Sequence, residues 1–137
     1  MDRATFEDAI KLIARIMMSL LFLWSGYGKT QAYEGVGQYM AMNGVSPALE
    51  PLVILTEIGF GLCLILGLIT RVAAFCLAGF CLLTAWFFHI HPEDQTQMVM
   101  LFKNITMCGG FLVLAASGAG RFALDRSLFK GRWAALT

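Results

Sequence analysis

Leu52-Val53-Ile54-Leu55-Thr56-Glu57-Ile58-Gly59-Phe60-Gly61-Leu62-Cys63-Leu64-Ile65-Leu66-Gly67-Leu68-Ile69 is an apolar run broken by one charge, Glu57. As a helix rising about 1.5 Å per residue it is close to the roughly 30 Å hydrocarbon thickness of a bilayer. No bulk water is present there to solvate a carboxylate. A membrane helix that keeps one needs a partner for it, and such a residue is by default a candidate functional site. The chain offers Lys103 and Asn104, Lys29, His89 and, more remotely, Arg15.

The surroundings of this run agree with it. The 137 residues are 58% hydrophobic and 14% charged, with mean hydropathy +0.72. A soluble domain averages about 45–50% apolar and about 25% charged, so the composition is that of an integral membrane protein. Three further apolar segments cover 10–27, 72–89 and 98–119, the first interrupted by Lys11 and Arg15 and the last by Lys103 and Asn104. Only Thr70-Arg71 separates 52–69 from 72–89, which requires a tight antiparallel hairpin. An open sheet edge cannot be left in lipid, so strands are excluded. The expected fold is an all-α membrane protein, a four-transmembrane-helix bundle forming a single domain over 1–137. In the first outer loop, Tyr33, Val36, Tyr39 and Met40 recur at helical spacing. They predict a short amphipathic helix over 31–42 that ends at Asn43-Gly44, lies on the membrane surface and caps whatever is beneath it.

Charge excludes several function classes. A net charge of +1 gives no support for a nucleic-acid partner. All four cysteines lie in apolar stretches with no CxxC pair, which argues against a disulfide framework and a zinc site. The acidic start, 1–8, lacks the basic n-region of a cleaved signal peptide.

The distribution of charge sets the orientation. Arg3, Lys11, Arg15, the Arg71 turn, Arg121, Arg126, Lys130 and Arg132 fall on one side of a four-span layout, against Lys29 and Lys103 on the other. The positive-inside rule makes the first side cytoplasmic, including the basic tail over 120–137. Glu57 then lies about 9 Å below the outer end of its helix. Trp24, His89, Lys103 and Asn104 reach comparable depth on the other segments, so an outer-leaflet pocket is expected, with Lys103 and Asn104 as the first partners of Glu57. Arg15 enters from the cytoplasmic face and is expected to snorkel to headgroups or to bond loop carbonyls.

With that layout, the motifs Trp24-Ser-Gly26-Tyr-Gly28-Lys29, Tyr39-Met-Ala-Met-Asn-Gly44-Val45-Ser-Pro47, Glu57-Ile-Gly59-Phe-Gly61, Gly67-Leu-Ile-Thr70-Arg71, Phe102-Lys103-Asn104, Gly109-Gly110-Phe111, Gly118 and Asp125 closely resemble the DoxX family of small four-helix bacterial membrane proteins. The resemblance covers nearly the whole chain. It implies a multi-pass protein of the bacterial inner membrane, in keeping with the cytoplasmic termini that the charge bias gives. It also implies a link to membrane redox systems, since the family is named for a subunit of a thiosulfate:quinone oxidoreductase.

Each polar feature has two readings. Glu57, Lys103 and Asn104 form the expected catalytic set, relaying protons or bonding a quinone oxygen; alternatively they are an ion pair that fixes helix register. Trp24, Lys29 and His89 are the expected quinone- or substrate-binding residues, and Arg15 and Arg71 the structural ones. His89, His91, Glu93 and Asp94 are too loosely spaced for a metal site, and none is expected. Apolar surroundings disfavour the thiolate that a reactive cysteine needs, so the cysteines and most glycines read as packing residues.

The leading functional expectation is a membrane subunit of a redox system with quinone-linked oxidoreductase activity on a small, sulfur-containing substrate or a partner. The chain has no haem-ligating pair, flavin motif or iron–sulfur cysteines, so no tightly bound cofactor is expected and quinone is the exchangeable one. Its expected partners are the lipid bilayer, the quinone, and a partner oxidoreductase subunit or a second copy. The alternatives are a non-catalytic adaptor docking a partner oxidoreductase through 31–42 and 121–132, and a small-molecule or lipid transporter. The transporter ranks last, because no inverted repeat is visible.

Overall fold

The run that contains Glu57 folds as one helix because its ends carry the right stop signals. Pro51, which lacks an N–H to leave unsatisfied, stands in its first turn, and Gly67 takes a left-handed φ of 71° at its end. There the Leu68 N–H donates to Cys63 O (2.8 Å) and the Gly67 N–H to Leu64 O (3.2 Å), which satisfies carbonyls the helix leaves orphaned. The structure, a computed structural model, describes residues 2–125.

The described chain is all helical: α1 (Arg3–Gln31), α2 (Tyr33–Met42), a short 3₁₀ turn (Pro47–Leu49), α3 (Glu50–Leu66), α4 (Thr70–Phe88) and α5 (Gln95–Ser117). Four of these elements are long and apolar enough to cross a membrane: α1, the 3₁₀ turn continued by α3, α4 and α5. The boundaries differ from the hydropathy segments for local reasons. Asp2 caps α1 by accepting the Thr5 N–H at 2.8 Å, so the helix starts well before the apolar stretch, in polar sequence. Asp94 does the same for α5, accepting from Thr96 (2.8 Å) and Gln97 (3.2 Å). Gly67 ends α3 three residues before the apolar run ends.

The helices form a ring in which α1 packs on α3, α3 on α4 and α4 on α5, while α1 and α5 meet only lightly. Helices α3 and α5 therefore lie on a diagonal. Small residues at helical spacing on α4 (Ala73, Ala74, Ala78, Cys81) are fully or almost fully buried beside Leu77 and let its neighbours approach closely. They form a core with Leu64, Cys108, Phe111 and Phe22, whose ring meets Phe111 edge-on at 5.4 Å. Leu55, Phe75, Trp86 and Val113 point outward, as lipid-facing side chains must.

Arginines tie off the cytoplasmic end. Arg15 is completely buried and donates to Leu64 O (2.7 Å), Ile65 O (2.9 Å), Ala119 O and Phe122 O (both 2.8 Å). The snorkelling expectation for Arg15 is thus replaced by its alternative, bonding to carbonyls, because those at the end of α3 and after α5 have no intrahelical partners. Arg71 donates to Ala115 O and Ala116 O at the end of α5. The start of the expected tail folds back on the bundle: Leu124 and Asp125 N–H donate to Leu66 O and Gly67 O, and Arg121 pairs with Asp8 at 2.9 Å. The remainder, 126–137, lies outside the described residues.

Candidate functional site

Glu57 is 4% exposed and is paired, but not with the residues the sequence favoured. Lys29 Nζ donates to Glu57 Oε2 at 2.8 Å, to Oε1 at 2.9 Å and to Ser25 Oγ at 2.6 Å. Ser25 Oγ in turn donates to Glu57 Oε1 at 3.2 Å. All three ammonium hydrogens are engaged, and both carboxylate oxygens have partners. Close contact of α1 with α3 makes this possible. A Cβ on Gly26 would stand 2.7 Å from Ile58 Cγ1 and 3.2 Å from Glu57 Cβ, so only glycine brings Ser25 and Lys29 this near.

Lys103 and Asn104 stand across the diagonal, on α5. Lys103 Nζ donates to Met100 Sδ at 3.1 Å; Asn104 Nδ2 donates to Met100 O at 3.0 Å and its Oδ1 accepts from Thr84 at 3.4 Å. Neither bonds Glu57, which corrects the expected triad. They do share a cavity with it. A space of about 260 Å³ in the outer half of the bundle is lined by Glu57, Lys29, Ser25, His89, Lys103, Asn104 and Thr84, with Phe22, Phe80, Phe88 and Met107 among its apolar walls. Its cover is α2, whose Val36, Tyr39 and Met40 face it; Met40 is 3% exposed, and Tyr39 stacks on Phe88 with ring centroids 5.4 Å apart. The capping helix thus lies where the amphipathic pattern put it.

Trp24 does not take part. At 77% exposure it faces lipid, and it is replaced as an aromatic wall by Phe22, Phe80, Phe88 and Tyr39. His89 lines the cavity and its Nδ1 pairs with Gln97 Oε1 at 2.7 Å. His91 instead pairs with Glu93 at 3.2 Å in the exposed loop, where Glu93's own backbone N–H and, after it, the His91 contact hold the Glu93 carboxyl below its usual range. Cys81 and Cys108 belong to the core.

A second space adjoins the first. An apolar groove of about 510 Å³ between α3 and α4 is lined by Leu52, Thr56, Phe75, Gly79, Leu83 and Phe87, and it shares Val45, Val53, Phe80, Thr84 and Phe88 with the cavity. Leu52, Phe75 and Leu83 are more than half exposed, so the groove opens towards the lipid. Sequence reading missed both this groove and Ser25. Ser25 had a signal, since it precedes Lys29 by one helical turn on the same face.

The fold and site define an integral membrane protein of four spans, with a polar cavity towards one end of the bundle and an apolar, lipid-facing groove beside it. The chain belongs to the DoxX family, whose profile matches residues 10–90. It is 46% identical over 127 residues to the inner membrane protein YqjF of Escherichia coli K12, covering 93% of this chain and 97% of that protein. It is also 35% identical over 133 residues to the inner membrane protein YphA of the same organism, covering 91% and 94%. No solved structure matches the chain significantly. Four apolar helices together with these relatives make it a multi-pass inner-membrane protein.

Proposed function

We propose that this chain is the membrane subunit of a quinone-linked redox system, with the quinone ring in the outer-leaflet cavity and its isoprenoid tail in the α3/α4 groove. One observation carries the reading: a polar, aromatic-walled cavity adjoins an apolar groove that opens to lipid, with Val53, Phe80, Thr84 and Phe88 lining both, an arrangement suited to an amphiphilic, membrane-dissolved ligand. The cavity residues fit such a ring. Phe22, Phe80 and Phe88 offer apolar faces, and the Lys103 ammonium and the Asn104 amide are donors for its carbonyl oxygens. A bound quinone supplies an acceptor for two electrons and two protons. The electrons come from a small substrate or a partner oxidoreductase.

The test is direct. Purified protein in lipid nanodiscs should bind a short-tailed quinone analogue and change quinol turnover when combined with a quinol-oxidising membrane extract. Glu57→Gln should reduce that turnover more than Cys63→Ser does. Absence of analogue binding removes the proposal, and the reverse ranking of the two variants removes the site.

A further inference from the structure

The charges around the outer cavity do not balance. Two ammonium groups line it, Lys29 and Lys103, and one carboxylate, Glu57. Lys29 and Glu57 cancel each other, with every Lys29 hydrogen committed to Glu57 or Ser25. Glu50, the buried carboxylate at the start of α3, does not line this cavity. His89 is occupied through Nδ1 with Gln97. Lys103 is left with Met100 Sδ at 3.1 Å, and a thioether is a weak, uncharged acceptor.

Lys103 is rooted inside the span, and its stem leans back one turn to Met100. It is eight residues into α5, about 12 Å along the helix from its outer end. An ammonium at such a position normally pairs with a counter-ion or lines a water-filled path. Asn104 beside it spends one amide hydrogen on Met100 O and keeps the other. A cation and an amide donor therefore face a space with aromatic walls, and a lipid-facing groove adjoins it.

We propose that Lys103 makes this cavity selective for an amphiphile whose head group carries a negatively charged oxygen, held by the Lys103 ammonium and the Asn104 amide, with its chain in the α3/α4 groove. The proposal rests on reading the cavity and groove as one amphiphile site and narrows the ligand class. A neutral ring would leave the Lys103 charge uncompensated, whereas an ionised hydroxyquinone or a long-chain carboxylate would neutralise it. Both share the same chemistry, an anionic oxygen on a lipid-soluble body.

Three probes separate the cases by equilibrium dialysis against the full chain in uncharged-lipid nanodiscs: a 2-hydroxy-3-alkyl-1,4-naphthoquinone, ionised at neutral pH; the matched alkylnaphthoquinone without the hydroxyl; and dodecanoate. The ionised quinone should bind about tenfold or more tighter than its neutral partner, the scale of one charge-assisted hydrogen bond. Lys103→Gln should erase that preference and Lys103→Arg should keep most of it. Because Lys103→Gln removes an uncompensated charge, the variant should melt no lower than the native protein, which a structural lysine would not allow. Equal binding of the two quinones overturns the proposal while leaving the quinone site standing. Failure of all three probes to bind overturns both. Dodecanoate binding as tightly as the ionised quinone, with the same dependence on Lys103, supports the anionic head and removes the quinone.

Discussion

Glu57 needed a partner in lipid, and which helix packs beside it decided which one it received. Side chains on a helix lean towards its N-terminus. Helix α1 runs outward, so the Lys29 stem near its outer end leans back into the membrane, past Ser25, to the level of Glu57. Helix α5 runs inward like α3, so Lys103 and Glu57 lean the same way, but α5 stands across the diagonal from α3 and Lys103 bonds Met100 of its own helix instead. Depth along the sequence favoured Lys103; the packing of α1 rather than α5 against α3 gave the place to Lys29. Lys29→Met should therefore destabilise the protein by about 3 kcal/mol, the usual cost of leaving one member of a buried pair uncompensated. Adding Glu57→Gln to that variant should recover part of the loss. Thermal unfolding in detergent or bicelles measures the cycle, and costs that simply add would show that the pair is not coupled.

At the scale of elements, two glycines from the same motif have different roles. Gly26 is the contact point of α1 with α3, where an added Cβ meets Ile58 at 2.7 Å; Gly28, half a turn further, has nothing within 4 Å of that position. Gly26→Ala should cost about 1–3 kcal/mol through overpacking and should loosen the ion pair beside it. Gly28→Ala should be neutral or stabilise by up to about 1 kcal/mol, because alanine is the better helix former. Melting temperatures of the two variants decide, and equal shifts would contradict the seam. The sequence read most glycines as packing residues, yet Gly59 and Gly109 meet no neighbouring helix: Gly109 faces open space and Gly59 meets only Leu55 of its own helix. Spacing alone does not say which face of a helix is turned to a partner. Of the helix ends, Asn43-Gly44 was read from the sequence, whereas hydropathy overran the stop at Gly67 and missed the cap at Asp94, because both act through local backbone bonds rather than through polarity.

For the whole molecule, the ring order of the helices creates the ligand space. Helices α1 and α3 close on each other through Gly26 and Gly61, and α4 and α5 through the small residues of α4. Between α3 and α4 the outer half stays open as the groove. Gly79 lies on its wall, and an added Cβ there meets nothing within 4 Å. Gly79→Leu should fill the groove without disturbing the bundle, holding or raising the melting temperature while lowering the affinity of a long-tailed quinone analogue by about tenfold. A tail-less analogue should be affected far less. Equal loss for both analogues would mean that the tail does not lie there.

Hydropathy and charge determined the four spans, the cytoplasmic side, the capping helix and the outer-leaflet depth of Glu57. These depend on the free energy of transfer from water to hydrocarbon, which is close to additive along the chain and so is legible in one dimension. Tertiary structure alone decided that Lys29 rather than Lys103 neutralises Glu57, that Trp24 faces lipid, and that Arg15 is sealed inside against four carbonyls. Those outcomes depend on which helices are neighbours, how far each is rotated and which way its side chains lean. Several arrangements satisfy the same hydropathy profile, and close packing selects among them.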